Sequence, residues 1–337
     1  MKHPKPLALV LRFAIVAAAL LCLNAFAAPG DLYVSDSGNG TIYKFTPAGI
    51  QSIFAVGLNP LAGLAFDLKG NLFVVESGNG SPASGTVLKF TADGGKSTFA
   101  SGLSDPVALA FDATGNLYVT ESFGDIGDIV KFPLVGKKST FASGNNLRGL
   151  VFDVLGNLFA SSIGPTDLGG AIIKYSPAAT GGTFTFAAGP AMALSSSGNL
   201  FATDRSSDSG GIAEFSSTGG RTTFTTKIQD PAGLAFDGAG NLFATDYDSG
   251  KIFKFTAAAE KSTFASGLNH PSFLAFEPLV QKLRNISARG LVGTGDETLI
   301  GGFIVGGSAL ANNSVVVRAI GPSLAKAGVS NPLADPV

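Results

Sequence analysis

The chain has 337 residues, 45% of them hydrophobic and 14% charged, with a formal net charge of −1. That hydrophobic share excludes a disordered chain, and the charge balance excludes a basic nucleic-acid-binding surface. The 45 glycines follow no collagen period and therefore mark turns.

The first segment reads as an address. Lys2, Lys5 and Arg12 make a positive start, residues 13–23 are apolar, and Ala25-Phe26-Ala27 is a small-x-small cleavage site. A signal peptide is expected over residues 1–27, with cleavage before Ala28. The apolar run is too short for an uncleaved membrane anchor. Leu20-Leu21 precede Cys22, where a lipidation signal would carry a small residue. The expected product is exported, periplasmic or extracellular, and free of the membrane after cleavage. Cleavage would remove the single cysteine, leaving neither disulfide nor thiol chemistry.

From residue 30 the chain repeats. Gly30-Asp31-Leu32-Tyr33 is followed by Gly70-Asn71-Leu72-Phe73, Gly115-Asn116-Leu117-Tyr118, Gly156-Asn157-Leu158-Phe159, Gly198-Asn199-Leu200-Phe201 and Gly240-Asn241-Leu242-Phe243. The leucines recur every 40 to 45 residues, which is the signature of a repeat architecture. One period holds four strand-length runs: 106–112, 117–121, 129–132 and 138–142. Each is rich in β-branched or aromatic residues and bounded by Gly, Asp or Pro. Four short strands per period predict a propeller blade.

The aromatics keep the register. Tyr33, Phe73, Tyr118, Phe159, Phe201 and Phe243 mark the second strand of each blade. Phe54, Phe99, Phe141, Phe186, Phe224 and Phe264 mark the fourth. Packing between blades is their expected role. Asp67, Asp112, Asp153 and Asp237 each stand three residues before a Gly, as turn formers would. Ser195 and Glu277 replace them in the other two copies.

The array starts on a second strand, 31–36, and ends on a first strand, 271–277. Equal counts of each strand require those two to share a blade. The expected fold is all-β: a six-bladed propeller of four-stranded blades over residues 28–279, closed by pairing of the N-terminal strand with the last repeat strand. Residues 280–337 break the period. The runs 299–305 and 315–322 suggest an incomplete β-rich C-terminal module, too small for a strong core of its own.

The pattern Pro-x-Gly-Leu-Ala-Phe-Asp, Gly-Asn-Leu-Phe-x-x-Asp, Ile-x-Lys-Phe, complete over 231–255, resembles NHL repeats. It is also similar to gluconolactonase (SMP-30-like) and streptogramin-lyase-like propellers. The tail looks like a C-terminal module of large exported bacterial proteins. The lactonase resemblance implies a divalent metal held by Asp and Asn at the opening of the innermost strands. Here those positions are Ala62, Val107, Arg148, Ala191, Ala232 and Ser272, none of them a good hard-cation ligand. The lyase resemblance implies histidines, and past the signal segment only His270 remains. No metal, cofactor or catalytic residue is therefore assigned.

One constellation is left. Four residues after each repeat leucine stand Asp36, Glu76, Glu121, Ser162, Asp204 and Asp246. Strand direction puts them on one face with Asn59, Asp105, Arg148, Asp230 and His270. The first reading is that the acids cap the hairpin to the third strand by accepting backbone N–H groups. The second is an acidic rim that attracts cations, sugars or a basic segment. The longer Glu76 and Glu121 are the expected exceptions to capping. Asp36, Glu76, Glu121, Asp204, Asp246, Arg148 and His270 are thus the candidate binding residues. The expected role is a non-catalytic, monomeric binding or scaffold module whose rim takes a protein or carbohydrate ligand. The alternatives are a degenerate lactonase- or lyase-like hydrolase and a passive module of an extracellular assembly.

Overall fold

The computed structural model describes residues 30–278, apart from 59, 93, 125, 164–169, 187, 188, 190 and 205–209. The chain divides into two compact units, Met1–Leu279 and Val280–Val337. The expected signal peptide and C-terminal module lie outside the described residues.

Among the described residues, twenty-four strands, β1 to β24 in chain order, form six antiparallel sheets of four. Five sheets take their strands in sequence. The sixth has the order β24-β1-β2-β3, joining β24 (Pro271–Phe276) to β1 (Leu32–Asp36), β2 (Thr41–Phe45) and β3 (Gln51–Ala55). The expected closure is therefore present. Leu32 pairs with Phe276 and Val34 with Leu274. Where every other blade has a covalent turn, the Glu277 N–H donates to the Asp31 carbonyl at 2.8 Å. The Asp67 N–H donates to the Asn71 carbonyl at 2.9 Å in the same way. Glu277 thus occupies the turn-aspartate place, and Asp31 the asparagine place.

The innermost strands are β4 (Leu61–Phe66), β8 (Pro106–Phe111), β12 (Leu147–Phe152), β16 (Met192–Leu194), β20 (Pro231–Phe236) and β24. Each touches the next, and β20 and β4 both touch β24, so the ring is complete. Second strands are buried on both faces and carry apolar runs rather than alternation. Fourth strands are the exposed outer edge: β3, β7 (Lys96–Leu103) and β23 (Lys261–Ala265) show solvent along most of their length.

Between blades the rings interlock. Phe243 meets Phe264 and Phe276 edge-to-face, both at 5.0 Å, and Phe264 lies 5.8 Å from Phe45 of the next blade. Tyr33, Phe54, Phe66 and Phe90 repeat this arrangement, as do Phe73, Phe99, Phe111 and Phe132. Each buried ring removes about 150–250 Å² from water, and each pair adds about 0.5–1.5 kcal/mol. The sequence misplaces one member of the series. In β15 (Gly181–Phe186), Thr183 pairs with Ile173 and Thr185 with Ile172 of β14 (Ala171–Tyr175), across a bulge. Phe184, not Phe186, therefore falls at the position of Phe54 and Phe264. The two Thr-Phe steps in 183–186 are indistinguishable without the pairing.

The turns follow local chemistry. Asp67 Oδ1 accepts the N–H groups of Lys69 and Asn71 at 2.9 and 2.8 Å, and its Oδ2 accepts the Asn71 amide at 2.7 Å. Gly70 supplies a φ of 79° there. The Ile-x-Lys-Phe lysine completes the unit. Lys254 sits 5.3 Å over the Phe243 ring and 3.8 Å from the Asp237 carboxylate. In the fifth blade both partners change together. Ser195 replaces the aspartate, Glu214 replaces the lysine, and Asn199 now donates its amide to Glu214 at 2.7 Å. The carboxylate has moved from the turn to the neighbouring strand, but the asparagine keeps its acceptor.

Two experiments test this account. Deleting residues 270–337 should cause aggregation or a melting-temperature loss above about 10 °C, because β24 leaves with them. Deleting 283–337 should leave the propeller folded; an intact monomer after the longer deletion would refute closure through β24. In urea denaturation, Ser195→Asp alone should cost about 0.5–1 kcal/mol by facing Glu214 with a second carboxylate. Adding Glu214→Lys should recover it; additive effects would exclude the coupling.

Candidate functional site

The two faces of the propeller differ in their loops. On one face, every turn from first to second strand has the same length: 67–71, 112–116, 153–157, 195–199 and 237–241. The turns from third to fourth strand there are nearly as uniform. On the opposite face the second and third strands are separated by residues 37–40, 77–84, 124–125, 163–170, 205–210 and 247–250, so the intervals run from two to eight residues. Loop variation on a constant frame marks where a repeat scaffold meets its ligands.

The candidate acids end the second strands on this variable face. Asp36 pairs with Pro271, Glu76 with Leu61, Glu121 with Pro106 and Asp246 with Pro231. Their side chains turn into the loops. Asp36 Oδ2 accepts the Asn269 N–H at 2.7 Å, Glu121 Oε1 accepts the Ser104 N–H at 2.9 Å, and Asp246 Oδ2 accepts the Gln229 N–H at 3.4 Å. All three donors stand two residues before the proline that opens the first strand. The acids therefore hold the loop entering their own blade. Hairpin capping is also present: Asp246 Oδ1 accepts the Ser249 N–H at 3.3 Å. Glu76 instead accepts the Thr86 hydroxyl at 3.0 Å.

Two acids are neutralised from within the blade. Lys138 lies 3.3 Å from Glu121, and Arg221 pairs with Asp204. Both carboxylates are only 13% exposed, so Glu121 does not extend freely into solvent. In the fourth blade acid and cation are both missing, with Ser162 and Gly181 at their places. Ser162 donates its hydroxyl to the Asn145 carbonyl at 2.6 Å and so still ties the same loop.

Asp36 differs from the rest. It is fully buried, its Oδ1 has no hydrogen-bond partner, and Gln51 stands at the start of its outer strand where the other acid-bearing blades have a cation. Burial pushes its carboxyl above the ordinary value of 3.8, against the opposing pull of the N–H groups of Asn269 and Gly38.

The other candidates are drawn into structure as well. His270 has a φ of 63° and stacks on Tyr247 at 4.5 Å. Its carbonyl accepts the N–H and hydroxyl of Ser37, at 3.1 and 3.0 Å. Arg148 lies on β12; its Nε is sealed from solvent without a partner, and its carbonyl accepts the Thr120 hydroxyl at 2.9 Å. Asp105 takes a φ of 45° in the bend before Pro106. Of the inner-strand positions, Ala62, Ala191, Ala232 and Ser272 are buried. Among the described residues no group of three or more His, Cys, Asp or Glu could hold a metal ion.

One set of polar residues escaped the sequence reading. Three places after each repeat leucine stand Ser35, Thr120, Ser161, Thr203 and Thr245, all fully buried, with Val75 as the exception. Thr245 accepts the Gly233 N–H at 2.7 Å and donates to the Ser272 carbonyl of the next blade at 2.7 Å. Gly233 lies in a bulge between Pro231 and Leu234, where the sheet ladder offers its N–H no partner. The signal was legible as a hydroxyl at a fixed place in an apolar run.

No family model matches the chain, and no curated protein does. Solved structures do. A gluconolactonase from Xanthomonas campestris superposes with a TM-score of 0.54 at 18% identity, covering 64% of this chain and 79% of its own. A streptogramin B lyase gives 0.52 at 13% identity, covering 72% and 91%. A virginiamycin B lyase from Staphylococcus aureus gives 0.48 at 14% identity, covering 60% and 69%. At these identities the likeness to the gluconolactonase and the streptogramin B lyase establishes the fold, a β-propeller, and no activity.

Asp36 gives a pH test. The folded state holds its proton more tightly than the unfolded chain does, so ionisation costs stability as pH rises from 3.8 through the raised folded value. Asp36→Asn should therefore melt above the wild type near pH 7. The gain should vanish as the pH falls below the ordinary carboxylate range. A constant difference across that range would exclude the buried charge as its cause.

Proposed function

We propose that this protein is an exported, non-catalytic, monomeric binding module that engages a protein or carbohydrate through its variable face. The observation that carries the reading is the concentration of loop-length variation on one face of an otherwise uniform repeat. Asp36, Glu121 and Asp246 serve this rim by fixing the loops that enter their blades, His270 ties its loop to Ser37, and Glu76, Asp204 and Arg148 complete the candidate rim. The ligand then meets the loops themselves. A hollow of about 430 Å³ lined by Pro60, Gly78, Asn79 and Ser84 lies against the loop 77–84 and supports this division of labour. The address rests on the N-terminal signal sequence.

The test has two arms. Replacing 77–84 with the four-residue hairpin of 247–250 should leave the melting temperature unchanged and abolish a binding signal that the wild type gives on glycan and peptide arrays. Elemental analysis should find no stoichiometric metal, and lactone hydrolysis should stay at background. One equivalent of tightly held metal, with hydrolysis lost on chelation, would instead establish the lactonase- or lyase-like alternative.

A further inference from the structure

Comparison of the six blades with one another exposes a second kind of site. In three of the six blades a glycine stands four residues before the first strand or its opening proline: Gly57, Gly102 and Gly267, with φ of 73°, 74° and 85°. At the junction of the fifth and sixth blades that place is Lys227. The third-strand residue paired with Asp36, Glu76, Glu121, Ser162 or Asp204 is Thr41, Thr86, Asp128, Ala171 or Gly211 in five blades. In the sixth it is Lys251, facing Asp246 across the strand pair. The outer-strand cation Lys261 completes the set. The three lysines line one groove of about 520 Å³ with Thr226, Gln229, Asp246, Ser249 and Phe253.

The fold has no evident use for this charge. Lys261 lies 3.5 Å over the Phe253 ring and donates to the Lys227 carbonyl. Among the described residues neither Lys227 nor Lys251 has an ion pair within 4.0 Å. Three ammonium groups face a single lining carboxylate, Asp246, which is itself occupied by the N–H groups of Gln229 and Ser249. Burial, with added repulsion from Lys251 and Lys227, holds Lys261 below the ordinary lysine value even against the pull of Asp246. Bringing like charges together costs energy, and an anion between them would recover it. The groove is much larger than an inorganic oxyanion needs, and hydroxyl and amide groups of Thr226, Ser249 and Gln229 offer neutral hydrogen-bond partners beside the charge.

We propose that this groove binds a polyhydroxylated anion, of the sugar-acid or sugar-phosphate class. The proposal rests on the reading of the variable face as the binding face and names a ligand chemistry for one sector of it. The ammonium groups hold the carboxylate or phosphate, and the polar lining takes the hydroxyls.

Titration calorimetry of the full-length protein at low salt, with glucuronate, glucose 6-phosphate and glucose as probes, tests this. At least one of the two anions should bind, glucose should not, and physiological salt should weaken the binding. Which anion binds tells a sugar acid from a sugar phosphate. The double variant Lys227→Gly, Lys251→Thr restores residues that other blades carry, so it should fold and melt as the wild type does. It should lose at least about tenfold in affinity. Failure of both anions to bind, or equal binding in the double variant at unchanged melting temperature, would overturn the proposal. If the arrays respond to the 77–84 replacement while the groove takes no anion, the variable-face reading survives and the groove assignment alone fails.

Discussion

A four-stranded blade has two apolar faces, and only another blade can cover each of them. That constraint governs the rest of this protein. The second strands are buried on both sides, so a single missing contact would expose a whole row of rings. A ring of six leaves no uncovered face, but only if the last blade meets the first. The pairing of Leu32 with Phe276 is therefore the contact on which the others depend. The two ends of the array are joined by backbone pairing and by the ion pair of Lys44 with Glu277 at 3.8 Å. Burial opposes the charge on Lys44, but hydrogen bonds to Asp31 and Tyr33 outweigh it and raise its pKa.

Closing six flat sheets into a ring also crowds the centre. Neighbouring inner strands approach so closely that a Cβ on Gly63 would stand 2.7 Å from the Val107 carbonyl oxygen. Bulges bend these strands and leave backbone N–H groups without ladder partners. An unsatisfied buried N–H costs about 1–3 kcal/mol, which is why a column of hydroxyls stands beside the bulges. Thr245 meets that need in its own blade and binds the next blade with the same oxygen.

The variable face carries the cost of this order. Its loops must leave an outer strand and enter the narrow centre, and the strand-end acids Asp36, Glu121 and Asp246 hold three of them there. Five of six blades use a carboxylate at this place, and Ser162 does the same work from a shorter side chain. Once the acids have been assigned to the frame, the loops and the groove between the fifth and sixth blades remain as surface that the scaffold does not need. A repeat protein makes this subtraction possible, because each blade shows what the others require.

How much of this was legible in the sequence follows from the range of the forces involved. The period, the strand number, the Asp-x-x-Gly-Asn turn and the closing strand are set by nearest neighbours and by counting, and the sequence alone determined them. The acids were legible as a fixed position, but their partners were not. The N–H groups of Ser104 and Gln229 lie on loops that strand pairing brings to Glu121 and Asp246, and only the closed ring brings that of Asn269 to Asp36. Phe184 and Phe186 carry the same local signal, and only pairing with Ile173 and Ile172 separates them. The hydroxyl column looked like ordinary strand residues until the bulges showed what it satisfies. Lys227, Lys251 and Lys261 are spread over a loop, a third strand and an outer strand, and no local rule joins them. Only the packing of the sixth blade against the fifth decided that their charges share one groove, since charge acts across space and a sequence records only order.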